Sequence, residues 1–136
     1  LALRWAAEDP AGAAAWVIQQ MPDGLELNAT LRTIVWDWTG KDSAGVVVWV
    51  NQLADQTRRA DGIATVAMAL ARTSPLEAVA VAEEIAPGET RNNVAANIAF
   101  QWAHTDRNAA TAWAQNLTVE EGREQALAAI QRAANN

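Results

Sequence analysis

The chain has 136 residues, 51% of them hydrophobic, and ten Lys plus Arg against sixteen Asp plus Glu give a net charge of −6. That composition suits a continuous buried core and argues against disorder, while the absence of any basic cluster argues against nucleic acid, whose phosphates need clustered Lys and Arg. No Cys is present, which removes disulfides and thiolate metal ligands and leaves cytoplasm and periplasm equally open; no apolar run reaches the roughly 20 residues of a membrane span, so no membrane insertion is expected.

From the N-terminus, residues 1–8 read as a helical stub that carries Leu1, Leu3 and Trp5 with no partner helix before it. The stretch WAAEDPAGAAAW, starting at Trp5, then returns as WTGKDSAGVVVW from Trp38, LARTSPLEAVAV from Leu70 and WAHTDRNAATAW from Trp102, at offsets of 33, 32 and 32. Self-similarity at that period is the signature of a repeat array. It divides the chain into repeats at about 9–41, 42–73, 74–105 and 106–136 within one domain, 1–136.

Each repeat opens on an N-cap candidate, Asp9, Asp42, Ser74 or Asp106, and Pro10 and Pro75 stand at the first helical position, where a missing N–H costs nothing. A short helix of about ten residues should run to a breaker at Pro22-Asp23-Gly24, Ala54-Asp55-Gln56, Pro87-Gly88 or Thr118, and a longer one of about fifteen should follow. Val46 to Val50 read alone as a buried strand, but they share register with the Ala-rich, capped stretches of the other repeats, so a helix is expected through Leu53. The short helices are apolar almost all round, which predicts that they lie inside and the long helices outside. Gly12 and Gly45 are expected to let helix backbones approach closely. Six of the seven Trp residues fall on two repeat positions and are expected in the core; Trp36 falls off both and is expected to be partly exposed. The last helix is more polar than its equivalents, as a terminal cap should be.

The spacing from Asp9-Pro10 to Trp16 and from Asp106 to Trp113 resembles the tetratricopeptide repeat, although the period is shorter and the Leu-Gly pair of that family is absent. The wider resemblance is to TPR-like and HEAT-like α-hairpin repeats. It implies an all-α, right-handed solenoid of four antiparallel hairpins preceded by a half-helix, and a scaffold for proteins or peptides.

Chemistry-bearing residues are sparse. His104 is the single histidine and sits where a long helix should end, so it is expected to meet the last carbonyls. With no Cys, no Tyr and no second His, no nucleophile and base pair can be assembled, and the acidic pairs lack the spacing of a calcium loop. No catalytic residue, metal site or cofactor is expected. Two polar rows recur by register. Gln19, Gln52, Glu84 and Asn116 follow the second Trp position by three residues and could hydrogen-bond an extended peptide; Arg59, Arg91 and Arg123 recur near the start of three long helices, paired either with carboxylates such as Asp55, Glu89 and Glu120 or with acidic groups of a ligand. Together with Trp36 these rows are the expected peptide-binding residues. The function expected is a non-enzymatic protein- or peptide-binding scaffold, part of a longer bacterial protein, with an accessory domain of an enzyme as the alternative. The apolar stub further predicts an N-terminal extension, and a homodimer through that end when the extension is missing.

Overall fold

The computed structural model describes residues 2–135, with side chains from Arg4 onward. Leu1 and the Leu3 side chain, named above for the N-terminal face, lie outside the described residues. Among the described residues the chain is all-α, with nine helices and no strand. After α1 (Ala2–Glu8), short and long helices alternate: α2 (Pro10–Gln20), α3 (Leu25–Lys41), α4 (Ser43–Asn51), α5 (Gln56–Ala71), α6 (Pro75–Ala82), α7 (Glu89–Ala103), α8 (Arg107–Gln115) and α9 (Glu120–Ala134). The strand-like valines lie inside α4, which stops at Asn51 rather than at Leu53. The helices gather into two compact units, Leu1–Val66 and Ala67–Asn136, and the division falls inside α5. In the first, α1, α2 and α3 pack on one another and α4 packs on α3; in the second, α6 and α8 pack on α7, α8 packs on α9, and α7 and α9 lie side by side.

Local chemistry explains the junctions from long to short helix. The Asp42 N–H donates to the Trp38 carbonyl at 2.8 Å and so closes α3, while the Asp42 carboxylate accepts from the Gly45 N–H at 3.0 Å and so opens α4. Asp9 repeats both bonds, to Trp5 at 2.8 Å and from Gly12 at 3.1 Å. Asp106 does the same with Trp102 at 2.8 Å and Ala109 at 3.0 Å. Ser74 stands at the same place but its hydroxyl makes no capping bond; Pro75 presets the first turn there instead.

These corners bring the tryptophans together in pairs. Ring centroids are 6.1 Å apart for Trp5 and Trp16, 5.7 Å for Trp38 and Trp49, and 6.0 Å for Trp102 and Trp113. Trp38 and Trp102 are only 8% and 9% exposed, as core residues should be, but Trp5 and Trp16 keep 39% and 40% of their surface in solvent, so the first pair is not core. Trp36 is exposed on α3.

The short helices are not buried all round. α4 buries only Val46 and Val50, and Val48 and Leu76 on the outward sides of α4 and α6 are 59% and 73% exposed. The long helices carry the larger buried faces, with Leu27, Leu31, Ile34, Val35 and Trp38 on α3 and Val94, Ala95, Ile98, Ala99 and Trp102 on α7. Alanine counts as apolar in a sequence pattern yet loses little on exposure, so an Ala-rich helix looks buried all round when only one stripe is.

Glycine roles also differ from expectation. A Cβ on Gly12 or Gly45 would first meet the helix's own capping carboxylate, whereas one on Gly62 would press into the Val50 side chain of α4 at 2.8 Å and one on Gly122 into the Asn92 side chain of α7 at 2.6 Å; the close approaches between helices are at Gly62 and Gly122. Gly24 and Gly88 begin α3 and α7 with φ of 153° and 155°, a conformation that L side chains resist.

Two predictions follow from this packing. Gly45→Ala should be neutral or stabilise by up to about 1 kcal/mol, because the movable Asp42 carboxylate can shift as Asp106 does beside Ala109, whereas Gly88→Ala should destabilise by at least about 1 kcal/mol through backbone strain; urea unfolding of the two variants checks this. Trp102→Ala should cost about 3 to 5 kcal/mol and Trp16→Ala less than half of that, since half-exposed rings lose less transfer free energy; the order of their thermal midpoints decides it.

Candidate groove on the long helices

The expected helix-end row is exposed throughout: Gln19 near the end of α2, Gln52 and Asn116 as the residues that close α4 and α8, and Glu84 just after α6. Asn116 spends its amide on its own helix, Nδ2 donating to the Ala112 carbonyl at 2.9 Å. Gln19 and Gln52 belong to the first unit, Glu84 and Asn116 to the second.

The arginine row has a definite local partner. Arg59 Nη1 donates to the Leu53 carbonyl at 2.6 Å, and Arg123 Nη1 donates to the Leu117 carbonyl at 3.1 Å. Both side chains therefore reach back from a long helix to the carbonyl that closes the preceding turn, which offsets the cost of a cation near a helix N-terminus. Arg91 occupies the same register and is half-buried. Asp55 lies in the expected break before α5 and also caps that helix: its carboxylate accepts from the Arg58 N–H at 3.0 Å. That backbone bond, helped by the Arg58 and Arg59 charges, holds the Asp55 carboxyl below its usual range despite the opposing effect of desolvation. Arg58 itself pairs with Asp23 at 2.7 Å.

His104 Nδ1 lies 2.9 Å from the Phe100 carbonyl oxygen, and its ring meets the Phe100 ring edge-on at 4.9 Å, so the histidine closes α7. No cluster of three or more His, Cys, Asp or Glu able to hold a metal occurs among the described residues.

A third polar row, which was not singled out from the letters, lies on the outer faces of the long helices. Asn28, Asp61, Asn93 and Gln125 recur at offsets of 33, 32 and 32. One turn further on stand Arg32 and Asn97, and one turn beyond Arg32 stands Trp36, so Asn28, Arg32 and Trp36 share a face of α3. In each unit this row lines a depression between two long helices, and the two depressions differ in kind.

In the first unit Arg32 and Asp61 close the space. Arg32 Nε lies 3.3 and 3.2 Å from the two carboxylate oxygens and Nη2 lies 3.2 Å from one of them, a forked pairing across α3 and α5. The recess beside them, floored by Leu31, Val35 and Trp49, holds about 70 Å3, room for a water or two and below the size of a ligand pocket. In the second unit the matching positions carry Asn93, Asn97 and Gln125, and the groove between α7 and α9 opens to about 480 Å3, with Ala96 and Ala128 on its floor and Phe100 and Arg132 at one end. Gln125 Nε2 reaches Asn93 Oδ1 only at 3.5 Å, and Gln125 Oε1 has no hydrogen-bond partner. Carboxamides both donate and accept, so this groove offers the alternating chemistry of a peptide main chain.

Compared with known proteins, the chain matches no family model, no curated protein and no solved structure.

The arginine contacts make a testable distinction. Arg123→Met should destabilise by about 1 to 2 kcal/mol, the worth of a charged hydrogen bond to a carbonyl, while Arg132→Met should stay within about 0.5 kcal/mol. Denaturant midpoints of the two variants measured side by side check it.

Proposed function

We propose that the chain is a right-handed α-solenoid of four hairpins and that it works as a non-enzymatic protein- or peptide-binding module. Support for the hairpin array comes from the recurrence of one corner at three of the four repeat starts: an aspartate that closes one helix and opens the next short one, with a tryptophan pair folded over it. The observation that carries the binding reading is the open groove of about 480 Å3 on α7 and α9, lined by three carboxamides and little else that is polar. Such a groove suits hydrogen bonding to a main chain and contains no pair of groups arranged for proton transfer. Its residues replace the helix-end row as the favoured contact surface, with Trp36 on the matching face of α3.

The test is selection from a displayed library of random dodecapeptides against the immobilised chain. Enriched peptides that bind the chain with micromolar Kd, about −8 kcal/mol, support the module. A library that yields no binder above the level of an unrelated helical protein would overturn it.

A further inference from the structure

We infer that the groove between α7 and α9 takes about three residues of a peptide in extended conformation, with an acidic side chain seated at Arg132; the inference rests on the binding reading above and gives its site a ligand class. Asn93 and Asn97 stand one turn apart on α7, about 6 Å along the axis, and alternate residues of an extended chain repeat at about 6.6 Å, so successive carboxamides meet successive main-chain groups of one edge. From Asn93 to Phe100 the groove runs about 10 Å, the length of three extended residues. Ala96 and Ala128 add only a methyl group each to the lining, which leaves room for a backbone to approach.

The amide end is under-satisfied without a ligand. Gln125 Nε2 and Asn93 Oδ1 share one long contact of 3.5 Å, and the carboxamide oxygen of Gln125, itself buried, has no partner, so a ligand carbonyl that accepts from Gln125 Nε2 and a ligand N–H that donates to Asn93 Oδ1 would replace one poor bond by two ordinary ones.

Charge sets the polarity of the occupant. The groove is lined by one charged residue, Arg132. The carboxylates of the two helices, Glu89 on α7 and Glu120, Glu121 and Glu124 on α9, stand toward the helix starts, Glu124 two turns before Arg132 and so about 12 Å from it along the axis. Arg91 on α7 and Arg123 on α9 stand at the same end, so four carboxylates outnumber two guanidiniums there, whereas Arg132 is the charged residue lining the other end. An acidic side chain is attracted to the Phe100 and Arg132 end and repelled from the other, and a basic one meets the reverse. The first unit has no such vacancy, because Asp61 already supplies the carboxylate that Arg32 binds.

The experiment titrates the full chain, labelled with 15N, with acetyl-Ala-Ala-Asp-Ala-Ala-amide and with its Asn isostere, and reads backbone and side-chain amide shifts. The expected result is saturable movement of the Asn93, Asn97 and Gln125 side-chain NH2 signals and of the Phe100 amide, with the Asp peptide tighter by up to about fivefold, the scale of an exposed ion pair. Arg132→Gln should erase that difference and leave the weaker shifts of both peptides in place. Asn97→Ala should weaken both peptides alike, and an unchanged spectrum outside the groove confirms that each variant folds. Shifts centred on Gln52 or Asn116, equal affinities of the two peptides for the unmodified chain, or no saturation up to the solubility limit would each overturn the inference. Library peptides that bind elsewhere on the chain would overturn it while sparing the binding module; a library without binders would overturn the module itself.

Discussion

The aspartate corner is the constraint on which the rest depends. One residue closes the preceding helix with its N–H and opens a short one with its carboxylate, at Asp9, Asp42 and Asp106, with φ between −142° and −156° and ψ between 80° and 85° in all three. Because there is no intervening loop, the direction of the short helix is fixed by two dihedrals, and the side chains four residues before and seven after the aspartate must meet. Those side chains are the tryptophan pairs. A looser link would scatter the rings; here a capping bond of about 1 kcal/mol orients groups whose burial is worth several times as much. Ser74 shows what is dispensable: the dihedrals are kept at −140° and 72° without the side-chain bond, with Pro75 limiting the alternatives and Leu70 and Val81 in place of the ring pair.

The turns from short to long helix are built in two other ways. Those before α3 and α7 reverse through Gly24 and Gly88, whose positive φ makes a tight start without a capping side chain. Those before α5 and α9 have no such glycine, and in both an arginine of the following helix reaches back to the carbonyl of Leu53 or Leu117. The cation would be unfavourable there by the helix dipole alone. It is held because the Leu53 and Leu117 carbonyls, in the turns just after α4 and α8, accept from the guanidinium.

What could be read from the letters follows from which partners the letters contain. The corner was legible because capping Asp, Pro at the first turn and a large residue at a fixed distance are all side-chain facts that recur. Register likewise decided that Val46 to Val50 are helical against their own β propensity, since neighbours in equivalent places are Ala-rich. The partner of Arg59 was not legible, because a backbone carbonyl has no letter of its own and only carboxylates could be named. Asp55 stands in the break read at Ala54 to Gln56, but its capping role was not legible for a related reason: it emerges only once the Arg58 N–H is seen to donate to its carboxylate. The groove was overlooked because Asn28, Asp61, Asn93 and Gln125 differ in type. A row of unlike polar residues on a long helix reads as solvated surface until two helices place it over a depression.

The contrast between the two depressions shows how little the fold alone decides. Equivalent register positions carry Arg32 and Asp61 in one unit and Asn97 and Gln125 in the other, and the backbones that present them are the same kind of long helix. A guanidinium and a carboxylate satisfy each other, fill the space with a forked pair and leave no demand for a ligand. Carboxamides cannot do so as completely, since each has two donors and an acceptor to place and Gln125 meets its neighbour Asn93 only at 3.5 Å. Exposed ion pairs add little to stability, so exchanging one for amides costs the fold little. What it changes is the surface: a closed contact becomes a polar groove with unmet hydrogen-bonding capacity. The binding role proposed for this chain therefore rests on two or three side chains, and the fold would stand with either set.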